Sequence, residues 1–293
     1  MTSHASGQPR PTKAERREHA REQARQQRDQ EEKRTKRRRV LWRGGIGLGL
    51  VAVTAVAALL IANQAGPSAA GPLNMSSDGI LLGGDGTLIT AARTAALAPG
   101  AKPVATDQSA LTDMVKIAIY VDYLCPLCGQ FESTNAAQIT SWVTAGNATV
   151  ELHPISVLDA SSLGTKYSTR AANAAACVAN FAPNSFLTVN AALLANQPAE
   201  NSGGLSDAEL QQVIEDAGVG DAKIADCIGN QTFATWVAAA SDRALSGPLA
   251  NADIEKITGT PTVLVNQVSY TGSLTDAAAF EAFVTAQTVV SDN

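Results

Sequence analysis

The stretch Tyr120-Val-Asp-Tyr-Leu-Cys-Pro-Leu-Cys-Gly-Gln-Phe131 decides the fold. Its first half closes an alternating run over 115–124. Val115, Ile117, Ile119, Val121 and Tyr123 share one face, and Lys116, Ala118, Tyr120 and Asp122 share the other. A period of two with one apolar side is the pattern of a half-buried strand. The second half reads as a helix over 126–145, opened by Pro126 and stopped by Gly146-Asn147. Cys125 and Cys128 therefore stand where a strand hands over to a helix. At that junction a thiol meets unpaired N–H groups and the positive end of the helix macrodipole, which favour its thiolate. Two intervening residues let Cys128, one turn on, close a small disulfide ring with Cys125.

A lone CxxC also fits half of a zinc site or a purely structural disulfide. The remaining cysteines, Cys177 and Cys227, lie far apart, and His153 is the one histidine downstream of residue 19. A zinc site would need ligands scattered over the fold, so no metal and no cofactor are expected.

Downstream, 149–155 reads as another strand. Alanine-rich helical segments follow over 168–245, broken at Pro183-Asn184, Gly203-Gly204 and Gly218. A short apolar strand over 262–266, a second near 269–271 and a last helix over 276–289 complete the order. A short first strand is expected at 79–82. Gly259-Thr260-Pro261-Thr262 leads into the 262–266 strand. Proline cannot donate to a ladder, which puts Pro261 at the strand's first position or on an edge, with an ordinary trans turn as the plainer reading. A cis Thr260–Pro261 bond would set the Thr260 backbone beside the cysteines, free to pair with an extended substrate.

Upstream, residues 1–43 hold 14 Lys or Arg and 6 Asp or Glu, whereas the rest holds 8 basic and 21 acidic residues. The polar run over 13–39 has no apolar face and reads as a cytoplasmic tail. Nucleic-acid binding is not expected, because no aromatic side chain is interleaved for stacking. Residues 44–62 carry no charge and, at about 1.5 Å per residue, just span a hydrocarbon layer of roughly 30 Å. Arg37, Arg38, Arg39 and Arg43 precede this stretch, and no Lys or Arg follows until Arg93. The positive-inside rule then places the amino terminus in the cytoplasm and residues 78–293 outside, tethered by one membrane helix and a linker over 63–77. Cleavage after Ser68-Ala69-Ala70 is the competing reading, although leaders rarely exceed about 30 residues. All four cysteines fall on the outer side, which suits an oxidising compartment.

These residues, 120–131 with Gly259-Thr-Pro-Thr-Val-Leu-Val-Asn266, resemble the DsbA family of thioredoxin-fold thiol–disulfide oxidoreductases. The resemblance covers about three quarters of the chain. The anchored, acidic, alanine-rich form is similar to the membrane-tethered members of Gram-positive actinobacteria. It implies an α/β thioredoxin-like fold with an inserted helical domain, here at about 160–250. It also implies Cys125 as the reactive thiol, Cys128 as the buried one and Pro261 as the cis-proline. Thr260, Pro126 and Leu127 then stand at the substrate surface. The implied activity is oxidation of cysteine pairs in secreted proteins, with a membrane quinone-linked thiol oxidase as redox partner. A reductase or isomerase on the same chemistry, and a redox-inactive binding domain, are the alternatives. The best-known members carry Pro-His between the cysteines. Leu127 replaces that His and cannot stabilise a thiolate.

Three further expectations concern supporting residues. Cys177 and Cys227 are expected to pair as a structural disulfide. Asp122, three residues before Cys125, is a candidate proton relay for Cys128, with an exposed strand-end residue as the other reading. His153, beside Pro154, reads as structural.

Overall fold

The computed structural model describes residues 70–289 apart from 109–110, 112–113 and 250–251. The basic tail and the apolar stretch 44–62 lie outside the described residues. Among the described residues no helix is long and apolar enough to cross a membrane.

Among the described residues six strands form one sheet in the order β2-β1-β4-β3-β5-β6. They are β1 (Ile80–Gly84), β2 (Ile89–Ala91), β3 (Val115–Val121), β4 (Ala148–Pro154), β5 (Thr262–Val265) and β6 (Val268–Ser269). β3 and β4 run parallel, joined by the crossover helix α1 (Pro126–Thr144); the other neighbours are antiparallel. β3 lies inside the sheet, which is why its apolar face is buried along its whole length. β2 was not foreseen. A three-residue strand shows no periodicity, and its pairing with β1 depends on a turn in which Asp85 Oδ1 accepts from the Thr87 and Leu88 N–H groups.

α1 buries Cys128, Phe131, Glu132, Asn135, Ile139 and Val143, a stripe at helical spacing against the sheet and the insertion. It stops as expected, with Gly146 at φ 74°, in the left-handed region that glycine enters freely. Between β4 and β5 the described residues form five α-helices: α2 (Tyr167–Phe181), α3 (Phe186–Ala195), α4 (Asp207–Asp216), α5 (Ala222–Gly229) and α6 (Ala234–Ser246). The helical insertion is thus in place. Its centre is α2, where Ala171, Ala172 and the run 174–176 are fully or almost fully buried. Small side chains there let neighbouring helices approach closely. The last helix, α7 (Ala277–Val289), returns to pack on α1 and β3, with Phe280 edge-on to Phe131.

The packed body starts ahead of Asp78. Met75 is fully buried, the Gly71 N–H donates to the Leu97 carbonyl, and the Asn74 side chain donates to Ala179 O. Residues 70–77, expected within a linker, are therefore part of the core. Their Gly, Pro and Ser content signals irregular backbone, which a folded body accommodates as readily as a tether does.

Candidate active site

The turn leading into α1 is built by Asp122. Its main-chain carbonyl accepts the Cys125 N–H at 3.0 Å, and its Oδ1 accepts the Leu124 N–H at 2.8 Å. Cys125 is the N-cap residue of α1, in extended conformation, with Pro126 opening the helix. The Cys128 N–H then donates back to the Cys125 carbonyl at 3.0 Å. Cys125 and Cys128 are both free thiols, while Pro126 and Leu127 between them are exposed.

β5 brings the second part. The Thr260–Pro261 bond is cis, and the Cys125 thiol donates to the Thr260 carbonyl oxygen at 3.2 Å. Pro261 directly precedes β5, where the missing N–H leaves the ladder intact.

These surroundings split the two thiols. A hydrogen bond from Cys128 draws Cys125 down from the usual thiol value to about 6, against the opposing effect of burial. The Thr260 side chain and the main-chain N–H groups of Cys128 and Leu127 act in the same direction. Cys128 goes the other way. Burial pushes its thiol far up, and the hydrogen bond and charge of Cys125 add to that. One sulfur is thus a ready nucleophile or leaving group near neutral pH, and the other holds its proton.

Residues 112–285, more than half of the chain, match the model of the family described as Thioredoxin. The chain belongs to this thioredoxin family. Its architecture is DsbA-like: reduced DsbA from Mycobacterium tuberculosis matches at a TM-score of 0.52 and 28% identity, over 71% of this chain and 91% of that one. The reduced disulfide bond oxidoreductase DsbG of the same organism matches at 0.51 and 28%, over 76% and 89%. BdbD from Bacillus subtilis shares the fold, at 0.52 and 18% identity, over 76% of this chain and 100% of that one. A curated relative, the serine/threonine-protein kinase PknE of M. tuberculosis, is 34% identical over 106 residues. That match spans 35% of this chain and only 19% of the kinase's length.

Within this thioredoxin fold Asp122 is fully buried, which removes the exposed reading. Both of its oxygens are engaged. Oδ1 accepts from Leu124 N–H and, at 2.7 Å, from the Ser168 hydroxyl; Oδ2 accepts from the Val157 and Leu158 N–H groups at 2.8 and 2.9 Å. Burial raises its carboxyl, and these four donors pull it back. The carboxylate pins the loop after β4 and the start of α2 to the redox turn.

Cys177 in α2 and Cys227 in α5 form a disulfide within the insertion. His153 sits elsewhere, on β4, stacked on Tyr120 with ring centroids 4.3 Å apart, and burial holds it below the usual imidazole value. Among the described residues no group of three His, Cys, Asp or Glu is placed to hold a metal ion.

Three residues around the site, Gln197, Asn190 and Glu132, were not singled out in the sequence, and Tyr123 was read there only on the apolar face of the strand. Gln197, just after α3, donates its Nε2 to the Tyr123 and Cys125 carbonyls, both at 3.0 Å. Nothing local to Asn196-Gln197-Pro198 marks this contact. Tyr123, fully buried, donates its hydroxyl to Asn190 Oδ1 at 3.0 Å. Glu132 lies one turn beyond Cys128 on the buried face of α1. A carboxylate on a largely apolar helix stripe was its available signal.

Proposed function

We propose that this protein is an extracytoplasmic protein thiol–disulfide oxidoreductase that makes disulfides in secreted proteins. The observation that carries the reading is the opposed pair of thiols, Cys125 held near 6 and Cys128 pushed far up, facing the Thr260–Pro261 element. A stabilised thiolate favours the reduced form over the disulfide, so such a pair gives its disulfide away readily. Leu127 supplies no charge for this. The Cys128 thiol, Thr260 and the first N–H groups of α1 act in its place.

The oxidised protein carries a Cys125–Cys128 disulfide. A substrate thiolate attacks Cys125 Sγ, and the Sγ–Sγ bond breaks with its electron pair on Cys128. A second substrate thiolate attacks the substrate sulfur of the mixed disulfide and expels Cys125 as thiolate. The substrate leaves oxidised by two electrons, and this protein is left with two thiols. Thr260, Pro126 and exposed Leu127 frame the surface on which a peptide would lie. Return to the disulfide needs an electron acceptor, for which a membrane quinone-linked thiol oxidase is the partner class. The uncharged stretch 44–62 between a basic tail and an acidic domain supports a single anchor with this domain outside.

The test is oxidation of a reduced dithiol peptide by the protein, with the reduction potential measured against glutathione. Loss of activity in Cys125→Ser together with a potential well above thioredoxin's, about −270 mV, is expected. A potential near thioredoxin's would turn the reading to a reductase. Unchanged activity of Cys125→Ser in cells would leave a redox-inactive binding domain.

A further inference from the structure

A groove of about 840 Å³ lies between α1 and the end of α3, and Pro126, the residue after Cys125, forms part of its wall. Neither β5 nor α7 lines it, so it is distinct from the Thr260–Pro261 element. Its sides are built of small residues, Gly129 and Ala136 from α1 and Ala191 and Ala195 from α3. Side chains of that size leave a trough between two helices that otherwise pack together.

The lining follows α1 from Pro126 to Ala137, about 16 Å at the helical rise of about 1.5 Å per residue. An extended chain covers that length in about five residues. A polypeptide whose cysteine is joined to Cys125 begins at Pro126 and has the groove ahead of it. Polar groups along the way suit a main chain. Gln130 and Ser133 are exposed on α1. Gln197 keeps its Oε1 beside Gly129 while its Nε2 holds the Tyr123 and Cys125 carbonyls.

The charge of the groove has one sign. Glu132 lines it, and no Lys or Arg does. Another acid, the exposed Glu200, follows the rim residue Ala199. Burial raises the Glu132 carboxyl to about 7, and only the Asn190 amide works against that. A cation seated beside this carboxylate would give it the stabilisation that burial takes away. Residues 44–293 as a whole hold 8 basic against 21 acidic side chains, which draws basic partners at longer range as well. Glu132 stands about 9 Å along α1 from Pro126, the reach of about three residues of extended chain.

We propose that this groove seats the stretch of substrate polypeptide next to its reacting cysteine, extended along α1, with a Lys or Arg about three residues from that cysteine set against Glu132. The inference rests on the thiol–disulfide reading above and names a substrate class for the same pair. Seating the flanking segment holds the mixed disulfide with Cys125 in place while the second substrate thiol approaches. A substrate with Asp or Glu at that position meets a like charge and is disfavoured.

The test is oxidation of reduced two-cysteine peptides by the oxidised full chain at about pH 8, where Glu132 is ionised. The peptides differ only in carrying Lys, Gln or Glu three residues from one cysteine, on either side of it, and rates are normalised to peptide thiolate. The rate constant for a Lys peptide should exceed that for its Glu counterpart about tenfold, and the gap should narrow as salt is added. Glu132→Gln should close the gap. Ala195→Trp fills the groove from an exposed position on α3. It should lower peptide oxidation about tenfold relative to that variant's own exchange with dithiothreitol, a dithiol too small to occupy the groove. A wild type indifferent to the peptide charge, a preference that survives Glu132→Gln, or an Ala195→Trp variant that keeps the wild-type ratio overturns the seat and leaves thiol exchange intact. Self-association of the protein that Ala195→Trp abolishes gives the groove to a second copy and overturns the seat as well. A wild type that exchanges no disulfide with dithiothreitol overturns both readings.

Discussion

The Gln197 side chain reaches from the helical insertion to the Cys125 main chain, its Nε2 donating to the Cys125 carbonyl at 3.0 Å and sharing itself with the Tyr123 carbonyl. The insertion thus holds the backbone of the redox turn. Approach is close enough that a Cβ on Gly129 would clash with Gln197 Oε1.

Gln197→Ala should lower stability by about 1–2 kcal/mol, because the partly buried carbonyls lose a donor. Gly129→Ala should act by pushing the same side chain away. The two changes should be non-additive in urea denaturation, since Gly129→Ala has little left to displace once Gln197 is truncated.

Alkylation of the reduced protein should report the Cys125 thiolate, its rate rising with pH around a midpoint near 6. Thr260→Val removes a group that lowers the thiol and should move the midpoint upward. The sign for stability follows from a folded value below the unfolded one. The thiolate's stabilisation of the reduced protein is complete above the unfolded thiol value near 9 and is lost as pH falls through about 6. Comparing reduced and oxidised protein in urea across that range checks it.

Asp122→Ala should destabilise the protein by about 3 kcal/mol or more, because the buried Leu124 N–H, the part-buried Val157 and Leu158 N–H groups and the buried Ser168 hydroxyl lose a charged acceptor. Asp122→Asn should be nearly as severe, since its amide turns N–H donors toward N–H donors. Denaturation midpoints measure both.

Removing the insertion disulfide by Cys177→Ala with Cys227→Ala should lower stability by roughly 4 kcal/mol in the chain-entropy account of a closed loop of this size. The Cys125 alkylation midpoint should stay where it is, because the disulfide joins α2 to α5 and is not among the groups acting on Cys125.

Much of the fold was legible because its signals are local. The period-two run over 115–124, the Pro126 helix start and the Gly146 stop are each written within a few neighbouring residues, and β3 and α1 follow them closely. The alanine-rich block between β4 and β5 was visible for the same reason. β2 escaped because three residues carry no period, and the packing of residues 70–77 escaped because their partners, Leu97 and Ala179, are remote.

By itself the sequence determined that Cys125 and Cys128 share a strand-to-helix junction and that a Thr-Pro element precedes a later strand. Adjacent residues settle such matters through backbone geometry. Only the tertiary structure decided what each polar group near the pair does. Thr260 meets Cys125 across 135 residues, the Asp122 oxygens are taken up by the loop after β4 and by α2, and the insertion shields Glu132 from most of the solvent. A side chain's protonation depends on what desolvates it and which donors face it, and folding brings both from distant parts of the chain.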